Sequence, residues 1–301
     1  MNRATEKRTG YMRDGTADLL KGAAVLFMIL VHLFENFAHA DLMVSPIGSL
    51  AFFLGGLPAA PVFMVVMGYY LGASGKRLQQ QVLRGLGIII LGFVLNFARS
   101  VFSLFSGLLT QDEVFRLLFG VDILPLAGFS IIVLGVFHAS KHRFMIAAVA
   151  IPLMLLIHEV LSLLPDATGS VAYLQAFFYG SLEWSYFPFF PWFLYPLTGY
   201  WIFLMMQRNK VLITSTMMEN CALVAGIIVT ATFSYGWKIS IHLPYYYHHD
   251  WIYYFWGMLF LTAYTWFTHR LNSGFGGAVV LKLIKWVGKH VTAFYIVQWV
   301  I

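Results

Sequence analysis

Charge is scarce in this chain. Only 11% of its 301 residues are Asp, Glu, Lys or Arg, against about 25% in a soluble domain. Cysteine is scarcer still. Cys221 is the single one, which excludes an internal disulfide and a cysteine-based metal centre; in its apolar run it reads as a small core residue. No Gly-rich phosphate loop, Walker motif, nucleophile elbow or HExxH pair occurs, so the usual signatures of nucleotide hydrolases, serine hydrolases and zinc proteases are missing. Repeats, low-complexity tracts and inter-domain linkers are also absent.

Apolar residues fill the space. They make up 60% of the chain, and the mean hydropathy is +0.76. The apolar runs are long enough for membrane helices rather than barrel strands. Nine spans are predicted, at about 17–38, 52–73, 83–105, 117–138, 144–164, 187–206, 218–236, 250–268 and 286–301. The expected fold is therefore all-α, a polytopic transmembrane bundle forming a single domain over 1–301 with a tail at 1–16. The last run stops at Val300-Ile301 without a polar flank, so ten or more helices are expected in the full protein.

The net charge of +6 is distributed in a way that excludes nucleic acid as its target. Arg3, Lys7, Arg8 and Arg13 precede the first run; Lys76, Arg77 and Arg84 flank the second connection; Lys141 and Arg143 lie in the fourth, Arg208 and Lys210 in the sixth, and Arg270, Lys282 and Lys285 in the eighth. The intervening connections hold almost none, Arg116 and Lys238 apart. By the positive-inside rule the N-terminus is cytoplasmic. Ala38-His39-Ala40 after an apolar run resembles a signal-peptide cleavage site, but His32 and Glu35 would interrupt the apolar region.

The first run carries the chemistry. Asp18, Lys21, Val25, Met28, His32 and Glu35 are spaced by 3, 4, 3, 4 and 3, which puts them on one helical face. Intramembrane ionisable groups are costly unless they face protein or water, so they mark a functional candidate. An imidazole takes and returns a proton near neutral pH, and a carboxylate one turn away fixes its tautomer. His32 with Glu35 is thus a catalytic candidate, against a structural pair bound to a neighbouring helix. Asp18 and Lys21, with Arg84, are candidates for docking an anionic cytosolic ligand, against a simple topology anchor.

Further candidates lie toward the opposite side. Asn96 and Arg99 are one turn apart, and Asp122 follows in the next run. Arg99 can pair with Asp122 or with Glu35, and the set would suit a hydroxylated substrate. Glu183 and Trp184 would line a sugar site there. Leu57-Pro58-Ala-Ala-Pro61 and Phe187-Pro188-Phe-Phe-Pro191 place prolines at or near the starts of the second and sixth helices. His39, His158-Glu159 and the loop His242 to Trp251 read first as solvated or interfacial residues; a metal at His248, His249 and Asp250 is disfavoured because adjacent histidines rarely face one ion.

Asp18-Leu-Leu-Lys21-Gly22 followed by His32 resembles the D-x-x-R-G…H opening of the acyltransferase 3 superfamily. Ala60 to Gly68, Phe187 to Trp192, and Val287 to Gln298 resemble later motifs of that group. The chain resembles bacterial proteins grouped with the catalytic domain of heparan-alpha-glucosaminide N-acetyltransferase. The resemblance implies a membrane acyltransferase using acetyl-CoA from the cytosol and a periplasmic or cell-surface glycan as acceptor, without a metal. It implies a bacterial inner membrane with lipid as partner, and it leaves room for a homodimer. By matched position His32 is the catalytic histidine and Asp18 and Lys21 the cytoplasmic motif. Lys21 stands where arginine is usual, and Gln298 where a late histidine is usual. Some relatives place the essential histidine after the first helix, which keeps His39 a candidate. The rival reading is a secondary transporter of a small polar solute; a non-catalytic membrane scaffold is a third.

Overall fold

A computed structural model describes residues 15–105, 109–208 and 215–300. The basic residues Arg3, Lys7, Arg8, Arg13 and Lys210 fall outside the described residues. In order, the helices are α1 Gly15–Phe37, α2 Ala40–Met43, α3 Pro46–Gly55, α4 Ala60–Gly72, α5 Leu78–Phe105, α6 Gln111–Leu118, α7 Ile123–Ala139, α8 Arg143–Ser162, α9 Ser170–Phe178, α10 Phe189–Trp192, α11 Leu194–Arg208, α12 Ser215–Ala231, α13 Phe233–Ser240, α14 Leu243–Tyr247, α15 Trp251–Phe275, α16 Val279–Lys289 and α17 Val291–Val300. Among the described residues the only β structure is an isolated parallel bridge between Val121 and Ser185.

A helix lies at each of the nine predicted places, but among the described residues not every one is long and apolar enough to span alone. Five stretches are long and apolar enough to cross a bilayer: Gly15–Phe37, Pro46–Gly72, Leu78–Phe105, Arg143–Ser162 and Phe189–Arg208. A sixth counts if the pair α12 and α13, bent by 73°, is one span. The shortfall has local causes. α7 has 17 residues and α16 has 11, each short of the ~20 that a perpendicular span needs. α15 is long enough but carries tyrosines, threonines, His269, Arg270 and Asn272. Large apolar side chains such as Phe37, Phe102 and Phe105 are at least 80% exposed, as lipid-facing residues are. This is a multi-pass membrane protein.

The proline-rich segments start helices, as expected, and also mark breaks within longer spans. The second helix begins at Pro46, where the Ser45 hydroxyl accepts from the Gly48 amide. Pro58 lies in the turn Gly56–Ala59 that separates α3 from α4, and Pro61 in the first turn of α4. Phe190 is non-helical (φ −100°, ψ 121°) within α10.

The chain resolves into two compact units, one drawn from Met1–Val66 and Met205–Tyr295, the other from Met67–Leu204 and Ile296–Ile301. In the first, α1 packs on α16 through bare glycines. A Cβ on Gly22 would strike the Ile284 carbonyl, and one on Gly288 the Asp18 carbonyl. Gly55 of α3 faces Val31 of α1 in the same way. Phe53 meets Trp237 (5.1 Å) and Phe260 (5.9 Å). In the second unit α5 packs on α7, with Gly85 and Gly128 backbone to backbone and Gly92 against Pro125. Trp192, Tyr195 and Tyr200 are fully buried there. Cys221 is exposed on α12 and not in the expected core position.

Candidate functional site

The first unit holds two polar pairs on α1. Lys21 Nζ lies 2.9 Å from Asp18 Oδ1, and the Asp18 side chain is only 4% exposed. Burying a carboxylate is tolerable only with such a partner. Asp18 is held there by the contact of its carbonyl with Gly288. The end of α1 is tied further by Thr16 Oγ1, 3.2 Å from His269 Nδ1, and by Asn272 Nδ2, which donates to Thr16 Oγ1 at 3.5 Å.

His32 Nδ1 lies 2.8 Å from Glu35 Oε2, with both side chains about a quarter exposed. A carboxylate only accepts, so Nδ1 carries the proton and Nε2 is the accepting nitrogen of the neutral ring. The three-residue spacing of one helical face produces the pair directly. Asn36 Nδ2 donates to the His32 carbonyl at 2.8 Å, which supports the last turn of α1. Asp18 and His32 are fourteen residues apart, roughly 20 Å along the axis. His39 lies outside α1, paired loosely with Asp41 at 3.3 Å, and both are more than 80% exposed. It lacks the shelter and fixed tautomer that His32 has.

The second unit gathers its predicted residues around Gly120. Asn96 of α5 is buried and donates to the carbonyls of Gly120 (2.8 Å) and Leu118 (3.2 Å). Arg99 Nη1 donates to Asp122 Oδ2 at 3.2 Å, which decides its pairing between the two carboxylates considered. Asp122 also caps α7, its Oδ1 accepting from the Ile123 amide at 2.6 Å. The Arg99 guanidinium sits 4.8 Å above the Trp299 ring. The Trp184 carbonyl accepts from the Val121 amide at 2.8 Å, bringing the 183–187 segment against the start of α7.

Arg116, read from the sequence as a topology exception, belongs to this cluster. Its guanidinium lies 4.5 Å from the Trp184 ring and pairs with Asp112 at 2.6 Å. Tyr173, not singled out from the sequence, donates to Asp112 Oδ1 at 2.8 Å and packs 5.7 Å from Trp184. Burial, and then the hydrogen bond to Asp112, push the Tyr173 phenol above its ordinary value, so it stays a donor. Arg116 Nε and Trp184 Nε1 are shielded and find no acceptor among the described residues. Two neighbouring donors without acceptors mark a place where oxygen atoms would be welcome. Gln298 likewise buries both amide atoms without a partner.

Other predicted residues fall apart from these groups. Glu183 is exposed. Arg84 is exposed on α5 and makes no ion pair or hydrogen bond among the described residues. The His242–Trp251 loop is structural: His249 Nδ1 donates to the Tyr246 carbonyl at 2.8 Å, and Asp250 caps α15 by accepting from the Tyr253 amide at 2.8 Å. Among the described residues no three His, Cys, Asp or Glu side chains converge as a metal site.

The fold is that of a multi-pass helical membrane protein with an imidazole–carboxylate pair on its first helix. The family model described as heparan-alpha-glucosaminide N-acetyltransferase, catalytic, matches residues 13–249, more than half of the chain. The chain belongs to that acetyltransferase catalytic family. Asp18, Lys21, His32, Arg99, Asp122 and Trp184 all lie within the match. No curated protein and no solved structure matches.

Proposed function

We propose that the protein moves an acetyl group from acetyl-CoA to a hydroxyl or amine of a carbohydrate on the far side of a bacterial inner membrane. The observation that carries this reading is the His32–Glu35 pair on α1, within the family match. His32 Nε2 accepts the proton of the acceptor as its oxygen or nitrogen attacks the thioester carbonyl. The C–S bond breaks, and the leaving thiolate takes a proton. Glu35 holds the ring and offsets the positive charge of the imidazolium.

The alternating loop charges favour a cytoplasmic N-terminus. In that orientation Asp18 and Lys21 stand where a cytosolic donor enters, and His32 and Glu35 stand nearer the opposite surface. Lys21 meets a phosphate of CoA as a point charge, without the fork that arginine would bring. Arg99, Asp122 and Trp184 belong to the acceptor side, and the shielded donors of Arg116 and Trp184 suit the oxygens of a sugar.

The breaks at Gly56–Ala59, at Phe190 and at the α12–α13 bend would also suit a transporter. A thermal-shift titration with acetyl-CoA, followed by transfer of labelled acetyl to mixed glycans, separates the two. Stabilisation by acetyl-CoA together with a labelled glycan supports the enzyme. Indifference to acetyl-CoA with stabilisation by a small solute overturns it.

A further inference from the structure

A groove of about 600 Å³ runs between α12 and α15, within the first unit. Its volume falls in the range of ligand sites. Its lining includes Ala222, Gly226, Thr230, Ala263, Trp266 and Phe267. The groove exists because its walls are small. A Cβ on Gly226 would meet only the Ala263 Cβ, at 3.9 Å. The one hydroxyl, of Thr230, is satisfied internally by donating to the Gly226 carbonyl at 2.8 Å. Leu223, Ile227 and Phe267 are more than half exposed along its rim, as residues in contact with hydrocarbon are.

Both ends of the groove are defined. Beyond Ala231 at one end, at the bend between α12 and α13, Trp256 Nε1 donates to Thr232 Oγ1 at 2.9 Å and ties α15 to that bend. The other ends in charge. Arg270 Nη2 lies 3.2 Å from Glu219 Oε1, and the Arg270 side chain remains 58% exposed. The same guanidinium lies 5.4 Å from the Trp266 ring, and the Trp266 indole N–H has no acceptor among the described residues. From Ala222 to Ala231 the groove is about 13.5 Å long, close to one leaflet of a ~30 Å hydrocarbon core.

We propose that this groove binds one acyl chain of an anionic glycerophospholipid, with the headgroup phosphate on Arg270. Length, apolar lining and a mouth where the exposed Arg270 keeps donors beyond its pair with Glu219 match a lipid molecule standing in its own leaflet. Arginine suits phosphate because its fork has donors beyond those engaged by one carboxylate. Glu219 opposes the phosphate and tunes the preference. The Trp266 N–H lies one turn deeper than Arg270, at the level of the ester oxygens.

The test is native mass spectrometry of the full chain released from nanodiscs of phosphatidylglycerol or phosphatidylcholine. Wild type should retain one phosphatidylglycerol per chain beyond the weakly held shell. Gly226→Leu fills the groove while raising helix propensity and should lose that molecule. Arg270→Gln should reduce the preference for phosphatidylglycerol over phosphatidylcholine about fivefold, the scale of one basic side chain at an anionic lipid surface. Glu219→Gln should increase it. Undiminished retention by Gly226→Leu, or equal retention of the two lipids by wild type, overturns the proposal. So does a lipid-free two-chain mass that Gly226→Leu converts to one chain, since a second copy would then fill the groove.

Discussion

Replacing His32 by alanine should abolish acetyl transfer and leave the fold in place. The structure sets both magnitudes. The side chain pairs with Glu35 at 2.8 Å and is only partly buried. Its removal should therefore cost about 1–2 kcal/mol of stability. A general base contributes 10²–10⁴ in rate, about 3–5.5 kcal/mol of barrier. Activity should fall far more than stability. Glu35→Gln is the finer probe. The amide still accepts from Nδ1, but a charge-assisted bond becomes a neutral one, a difference of about 1–1.5 kcal/mol. That predicts roughly a tenfold loss, much less than for His32→Ala. The assay is single-turnover transfer from radiolabelled acetyl-CoA in detergent, with thermal melts on the same samples. Near-wild-type turnover by His32→Ala would refute the assignment, and inactivation by His39→Ala would move it to that histidine. An equal loss in the Glu35→Gln and His32→Ala variants would show that the charge, and not its orientation of the ring, had been misjudged.

Three further outcomes follow from other contacts. Arg99→Met should destabilise by about 3–5 kcal/mol because it strands the largely buried Asp122 carboxylate; the double variant with Asp122→Asn should recover part of this in a denaturant-titration cycle. Gly288→Ala forces a methyl onto the Asp18 carbonyl, so about 1–3 kcal/mol should be lost and KM for acetyl-CoA should rise while KM for the acceptor does not. Glu113 is held below the usual carboxylate range, first by the Thr110 hydroxyl and then by the Thr110 amide. Its folded pKa lies below its unfolded one, so its stabilising effect is present above about pH 4.3 and is lost as pH falls through the folded value. Melts across pH 3–6 should lose that component in Thr110→Ala.

What the sequence revealed was periodic or local. The α1 stripe follows helical spacing, and its two pairs at i, i+3 formed as that spacing requires. Arg99 with Asp122 was one of two pairings, and choosing between them needed the α5–α7 packing that only the fold supplies. The Arg116 cluster was half legible. Asp112 and Arg116 stand four apart, and Thr110 with Glu113 spells a capping box. Tyr173 reaches Asp112 across 61 positions, a separation no periodicity announces. The start of the second helix was missed because Pro58 and Pro61 looked like a beginning, whereas Ser45-Pro46 is the better one: a hydroxyl cap followed by proline at the first helical position. Hydropathy registers apolar content and not helix breaks, so the separation of α16 from α17 at His290 was not legible in the sequence.

The two glycine contacts between α1 and α16 act as a key in a lock. Asp18 and Gly22 lie four apart on one helix, and Ile284 and Gly288 four apart on the other. A one-residue slip, or a quarter turn of either helix, drives a side chain into a carbonyl. α1 therefore serves as a fixed rail with its two polar pairs at set stations. A larger residue at either glycine would shift Lys21 and His32 together relative to α16, and not relative to each other.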